Sequence, residues 1–119
     1  MNPIIIKIPI KVISEANTWD GHWIKKYKRK KAQNIWLHVA MKGIDLKGVN
    51  KVTLTRIGPR KMDTDNLLFS LKNIRDSIAD KINPGLARGQ ADNENLITWQ
   101  YRQEKGEPKE YALKIEFFS

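Results

Sequence analysis

Two carboxylates stand two positions apart in the segment Arg60-Lys61-Met62-Asp63-Thr64-Asp65-Asn66, which follows a predicted strand and opens a predicted helix. In extended or turning backbone, residues i and i+2 point to the same side, so Asp63 and Asp65 can share a divalent cation. Magnesium suits such a pair because it prefers oxygen ligands and usually takes only one or two protein carboxylates. The alternative is that Asp63 or Thr64 simply caps the helix.

The predicted helix carries further polar residues on the side of Asp65. Lys72 and Asp76 follow Asp65 by seven and eleven positions, and at 3.6 residues per turn these offsets return to nearly the same direction. A lysine beside carboxylates can hold a phosphate oxygen or stabilise charge as a bond breaks. The alternative is an ordinary surface Lys72–Asp76 pair, which is worth only ~0.3–0.5 kcal/mol. Phe69 interrupts this polar stripe.

A third acidic cluster, Asp92-Asn93-Glu94, lies in a predicted loop just before a strand. An acid that is distant in sequence can complete a metal site if the fold brings it to Asp63 and Asp65. The sequence leaves open whether the fold does so.

The charge balance indicates a polyanionic partner. Lysine and arginine number 22 against 13 acidic residues, which gives a formal charge of +9. Nucleic acid and anionic membranes are the usual partners of such a surplus. A solvated helix face is the default interpretation of a lysine run, but the nearby acids and the net charge favour phosphate binding. The candidate phosphate-binding residues are Lys25, Lys26, Lys28, Arg29, Lys30, Lys31, Arg60 and Lys61.

The composition excludes several kinds of chemistry. The chain has no cysteine, which excludes disulfides, thiol nucleophiles and thiolate zinc sites and fits a cytoplasmic location. The apolar start is soon interrupted by lysine and does not resemble a signal peptide. No window approaches the ~20 apolar residues of a membrane span, so we expect no membrane-spanning helix. The alternating strands and a clear core stripe also favour a globular domain over a membrane partner.

The periodicity predicts one α+β domain over residues 1–119, with a mixed β-sheet and two main helices in the order β-α-β-α-β-β. Pro9 places the first strand at an edge or break, Gly43 ends the first helix, and a turn at residues 105–108 joins the last two strands as a hairpin. The predicted strands are 3–13, 50–57, 96–103 and 110–118, and the predicted helices are 22–42 and 64–82.

Apolar spacing predicts which helix faces enter the core. In the first helix the predicted core residues are Trp23, Tyr27, Ile35, Trp36, Val39 and Ala40. In the second helix they are Leu67, Leu71, Ile74, Ile78 and Ile82. Tyr27 or Trp23 stacking on an opened base is the less favoured alternative, and His22 and His38 are not needed by a carboxylate mechanism.

These features together resemble the RusA family of Holliday-junction resolvases, in particular its phage-encoded members. The resemblance rests on Asp-x-Asp-Asn at 63–66, on Lys72 and Asp76 four apart in the next helix, and on the acidic loop before a strand. It extends to Asn17-Thr18-Trp19 with His22-Trp23 and the basic helix, and to residues 97–103 and 111–115. Nearly the whole chain is therefore covered.

The resemblance implies a homodimer that binds four-way DNA junctions by shape and nicks two strands symmetrically, with Mg²⁺ or Mn²⁺, in DNA recombination and repair. By analogy Asp63, Asp65 and an acid of the loop, Asp92 or Glu94, would hold the metal. Lys72 would replace the essential lysine of the family. Asn66 and Asp76 would have supporting roles.

Two departures from the family pattern leave other interpretations open. In the best-known branch the lysine stands four residues after the second aspartate, where this chain has Phe69, and the loop usually reads Asp-Asp rather than Asp92-Asn93-Glu94. The alternatives are an inactive resolvase relative, a non-catalytic basic nucleic-acid binder, and a basic protein that associates with membrane surfaces or acidic proteins.

Overall fold

The computed structural model describes residues 3–12, 23–84 and 97–119. Its elements are β1 (Ile4–Ile8), α1 (Trp23–Met41), β2 (Lys51–Gly58), α2 (Thr64–Ile82), β3 (Thr98–Lys105) and β4 (Ala112–Phe118). The chain is thus a small α+β domain with two helices and a mixed four-stranded sheet, as the sequence predicts. The first strand is shorter than predicted, because it ends at Ile8, directly before Pro9.

The sheet has the strand order β1-β4-β2-β3. β4 lies antiparallel to both β1 and β2, whereas β3 pairs parallel with β2. β2, α2 and β3 therefore form a β-α-β unit, in which the helix provides the long connection that parallel strands need. β1 is an edge strand, as Pro9 indicates.

The predicted hairpin between the last two strands is wrong. β2 lies between β3 and β4, and both of them pair with it. Residues 106–111 instead cross the end of β2, where the Gly106 amide donates to the Gly58 carbonyl at 2.8 Å. The turn residues do reverse the chain direction, but β2 is inserted between the two strands and pairs with each of them.

One face of the sheet packs against the helices. The apolar side chains on this face alternate along each strand, and they join the buried core together with the predicted stripe of α2. Leu67, Leu71, Ile74 and Ile78 of that stripe are buried, as predicted, and Ile82 is half-buried. The contributing strand residues are Ile4, Ile6, Ile8, Val52, Leu54, Trp99, Tyr101, Leu113, Ile115 and Phe117.

The predicted core face of α1 is wrong in most of its residues. Gln33, Leu37 and Met41 are buried instead, and Ala40 alone of the predicted set packs against the core. The Trp23 side chain lies outside the described residues. Because Leu37 and Met41 are one turn apart, they suffice to attach the helix, and the other apolar side chains remain at the surface. These exposed residues are Tyr27, Ile35, Trp36 and Val39.

Candidate carboxylate site at the start of α2

The acidic pair stands where the chain leaves β2 and enters α2. Asp63 has extended backbone (φ −60°, ψ 151°) and its carbonyl accepts from the Leu67 amide at 2.9 Å, so it occupies the N-cap position. Its side chain, however, makes no capping hydrogen bond. Asp63 is thus the N-cap residue, as the alternative interpretation predicted, but its side chain does not stabilise the helix end, and its carboxylate remains exposed and available to a ligand.

Asp65 lies in the first turn of α2 and is also exposed. Neither Asp63 nor Asp65 forms a side-chain hydrogen bond or an ion pair with another residue in the part of the chain that the structure describes. Two such carboxylates repel each other, while the N-terminal end of the helix dipole stabilises both. This combination suits a divalent cation, which would remove the repulsion.

The polar stripe of α2 lies on the side away from the core, as the spacing predicts. Lys72 is exposed and Asp76 is half-buried. Among the described residues Lys72 has no hydrogen-bonding or ion-pair partner, so a Lys72–Asp76 surface pair is absent there. The helical rise puts the Cα atoms of Asp65 and Lys72 about 10 Å apart along the axis. Because Cα–Cβ bonds in a helix tilt toward its N-terminus, a Lys72 side chain could extend toward the acidic pair.

α1 and α2 lie side by side and run in the same direction. His38 contacts Lys81 at 3.3 Å and Asn34 accepts from the Ser77 hydroxyl at 2.9 Å. Both contacts join residues 43 positions apart. Because a later residue of α1 contacts a correspondingly later residue of α2, the two helices run parallel. They therefore begin at the same end of the domain.

Phe69 is part of this helix contact. The Lys26 ammonium lies 5.7 Å from the centroid of its ring, a cation–π distance. Phe69, which interrupts the polar stripe of α2, is therefore the residue at which α2 contacts the lysine- and arginine-rich part of α1 (residues 25–31). As a result, this basic part of α1 lies beside the first half of α2, which contains Asp65 and Lys72.

The basic run, defined as the six lysine and arginine side chains between residues 25 and 31, forms a strongly positive surface. Lys26 and Arg29 are half-buried and the other four are exposed. α1 contains no acidic residue. Arg60 and Lys61, just before Asp63, are also exposed. The structure therefore brings the predicted phosphate-binding residues and the acidic pair to one end of the helix layer.

The segment that leads to Asp63 is anchored by Gln103, on β3. Its carboxamide accepts from the Met62 amide at 2.9 Å and donates to the Met62 carbonyl at 2.8 Å. The side chain therefore satisfies both backbone groups of the residue directly before Asp63. Sequence analysis did not identify Gln103, although a polar residue on the core face of a strand (two positions after Tyr101) is a recognisable signal.

Arg56 holds the same segment from β2. Its Nε donates to the Val12 carbonyl at 2.8 Å and its guanidinium donates to the Arg60 carbonyl at 2.6 Å. Burial lowers the pKa of this guanidinium, and the nearby Tyr111 opposes that effect. A Cβ on Gly58 would lie 2.8 Å from the Arg56 guanidinium and would displace it from its hydrogen bonds, so glycine suits this close approach.

The loop acids Asp92 and Glu94 lie outside the described residues. Within residues 3–12, 23–84 and 97–119, no three histidine, cysteine, aspartate or glutamate side chains come together as a possible metal-binding group. In the described residues the candidate site thus consists of Asp63, Asp65 and the half-buried Asn66, which are neighbours in sequence at the start of α2. The third ligand that the resemblance implies stays a prediction.

Comparison with known proteins adds no relative. No protein-family model matches this chain, and no curated protein matches it significantly. Neither helix of the described residues combines the length and apolar character that a membrane span requires.

Proposed function

We propose that this chain is a magnesium-dependent endonuclease that hydrolyses phosphodiester bonds at four-way DNA junctions, as its resemblance to RusA resolvases implies. The observation that carries the proposal is the pair of exposed carboxylates, Asp63 and Asp65, beside a basic helix surface. A polyanion drawn to that surface would be repelled by the two carboxylates. A divalent cation bound between them would convert this repulsion into attraction.

The donor chemistry of the site fits magnesium, since both carboxylates are accessible and without partners among the described residues. Asp63 and Asp65 would hold the ion, with Asp92 or Glu94 as a third ligand and Asn66 and Asp76 in support. Bound there, the ion would supply a Lewis acid and a template for the attacking water. The Lys72 ammonium would stabilise negative charge on the phosphate oxygens. We expect a 5′-phosphate and a free 3′-hydroxyl as products.

The basic run, together with Arg60 and Lys61, would grip phosphates without reading bases. Binding of this kind weakens steeply as salt rises. Two copies related by a two-fold axis would present two such sites to a symmetric junction, which is why the proposal includes a homodimer. This activity would act in recombination and repair in the cytoplasm of a bacterial or phage-infected cell.

The test is cleavage of a labelled synthetic four-way junction and of a linear duplex with the same sequence, in Mg²⁺, in Mn²⁺ and in EDTA. The proposal predicts paired nicks in strands of the same polarity, on the junction and not on the duplex, and only with metal. Equal cutting of the duplex would contradict junction selectivity. Cutting that persists in EDTA would contradict the carboxylate–metal mechanism.

A second candidate function is binding of branched DNA without cleavage, as a basic binder or an inactive resolvase relative. The observation that favours it is the exposed basic surface of α1, which contains no acidic residue and would bind phosphates with or without a metal. The same assay separates the two candidates. Tight junction binding without nicks in either metal would support the binder and exclude the nuclease.

A further inference from the structure

A groove of about 580 Å³ lies on the outer surface where α1 borders α2. Its volume is within the usual range of ligand sites. Seven residues of α1 and one residue of α2 line it: Tyr27, Lys30, Lys31, Asn34, Ile35, His38, Val39 and Asn73. The groove thus uses the apolar side chains that the sequence assigned to the core and that the structure leaves at the surface.

The lining combines an accessible ring with positive charge. The Tyr27 side chain is 58% exposed, and Lys30 and Lys31 beside it are exposed as well. No carboxylate is among the lining residues that the structure describes. Ile35 and Val39 continue the apolar surface along the helix. An aromatic face with basic neighbours is the arrangement with which proteins bind unpaired nucleotides, because each base stacks and each phosphate is neutralised.

The groove keeps its shape through contacts between the helices. The Asn73 amide donates to the side-chain oxygens of Gln33 at 3.3 Å and of Asn34 at 3.2 Å, and the Ser77 hydroxyl also donates to Asn34. These bonds fix the line along which α1 meets α2. A preformed groove requires less ordering of side chains on binding than a surface that must rearrange.

The groove lies within reach of the strand that would occupy the carboxylate site. Asn73 is eight residues after Asp65 on the same helix, which is about 12 Å of helical rise. A strand within duplex DNA rises about 3.4 Å per nucleotide and an unstacked strand is more extended, so this distance corresponds to a few nucleotides at most. One DNA strand can therefore contact both features at once.

We propose that this groove binds unpaired nucleotides of DNA beside the branch point, with Tyr27 stacking on a base and Lys30 and Lys31 contacting the flanking phosphates. This inference rests on the proposed function, since it names the part of the branched DNA that the protein recognises apart from the cleaved bond. If the groove binds unpaired nucleotides, the protein should bind single-stranded DNA through it in preference to double-stranded DNA. Duplex DNA keeps its bases stacked and offers Tyr27 no free base face.

Charge complementarity selects this occupant over a second copy of the chain. A two-fold contact through the groove would place Lys30 and Lys31 of both copies in one interface, because such contacts use the same patch on each subunit. With a formal charge of +9 on each chain, this contact would be repulsive. A nucleic-acid strand brings the opposite charge and a ring to stack.

The test measures the affinity of the full chain for fluorescent oligothymidylate and for a duplex of equal length, in EDTA. Tyr27→Ala should weaken oligothymidylate binding about 5-fold to 100-fold, the range for loss of one stacked base, and should change duplex binding less than twofold. Tyr27→Phe keeps the ring and should bind both within twofold of the original chain. Trp36→Ala removes an exposed aromatic of the same helix outside the groove, and should leave the ratio unchanged.

An equal loss on both DNAs, or no loss in Tyr27→Ala, would overturn the proposal. It would also be overturned if Ile35→Lys changed the sedimentation coefficient of the free chain while leaving oligothymidylate affinity intact, since the groove would then be a protein interface. Because the assay contains no metal, failure of cleavage and failure of the groove are measured separately.

Discussion

Replacement of Gln103 by leucine tests how the acidic pair is positioned. Leucine fits the core face of β3, but it removes the hydrogen bonds of 2.9 and 2.8 Å to the Met62 amide and carbonyl. One such bond contributes about 0.5–1.5 kcal/mol to stability. The free energy of unfolding should therefore fall by about 1–3 kcal/mol, and the backbone before Asp63 should open more often.

Two assays separate local from general effects. Chemical denaturation measures the free energy of unfolding, and amide hydrogen exchange measures opening at residues 60–64. We expect exchange there to rise about 5-fold to 100-fold in Gln103→Leu, because about 1.4 kcal/mol corresponds to a factor of ten. Gln103→Glu keeps the acceptor for the Met62 amide but places a carboxylate oxygen against the Met62 carbonyl in place of the donor, so exchange should rise in this variant too.

The matched control is Gln100→Leu, on the same strand but on the opposite face of the sheet. Its side chain accepts a hydrogen bond from the Thr53 hydroxyl at 3.3 Å and does not contact Met62. If Gln103→Leu destabilised no more than this control, and exchange at residues 60–64 stayed unchanged, the positioning role of Gln103 would be refuted.

Three further predictions concern the same end of the domain. Gly58→Ala should lower the free energy of unfolding by about 1–3 kcal/mol in chemical denaturation, because the new Cβ would lie 2.8 Å from the fixed guanidinium of Arg56. Lys72→Ala should slow junction nicking about 10²–10³-fold and leave junction affinity within a few-fold, as measured by single-turnover kinetics and filter binding. Lys28→Gln should reduce the slope of log affinity against log salt by about 0.9, the value for one lost phosphate contact. The control is Lys42→Gln, which replaces an exposed lysine directly after the last residue of α1, and it should leave that slope unchanged.

Local patterns predicted the elements of the fold because each pattern has a local physical cause. The α2 range of Thr64–Ile82 and its buried stripe follow from apolar residues at steps of three and four, which only a helix places on one face. Gly43 ends α1 with a φ of 80°, a conformation that glycine adopts without strain. β1 ends at Ile8 for a similarly local reason, because Pro9 follows directly and has no amide hydrogen to donate to a neighbouring strand.

The strand pairing and the buried face of α1 could not be predicted from local sequence patterns. The turn at residues 105–108 predicts a reversal of the chain, but whether the two strands pair depends on β2, which is distant in sequence. In α1 the apolar residues occupy more than one face, and tertiary packing selects Leu37 and Met41 over Tyr27 and Val39. The strand pairing and the buried face of α1 both depend on which distant segments pack together, so neither follows from one segment alone.

The candidate site likewise combines residues that local spacing predicts with residues that only tertiary contacts position. Spacing alone placed Asp65, Lys72 and Asp76 on one side of α2, and the structure agrees. The roles of Gln103 and Arg56 depend on contacts with residues about 40 positions away. The sequence can mark Gln103 as a polar residue on a core face, but it cannot show which backbone groups that side chain holds. The resemblance to RusA resolvases supplied the roles of Asp92 and Glu94, and these remain predictions.

The central claim is that the acidic pair at the start of α2 holds the metal that cuts the junction. The most direct measurement compares nicking of a four-way junction by Asp65→Asn and by Asp80→Asn. Asp80 is an exposed carboxylate on the same helix, about 22 Å farther along its axis, so both variants lose the same charge. We predict that Asp65→Asn binds the junction but does not nick it in Mg²⁺, while Asp80→Asn nicks at the original rate. Equal nicking by the two variants would contradict the claim.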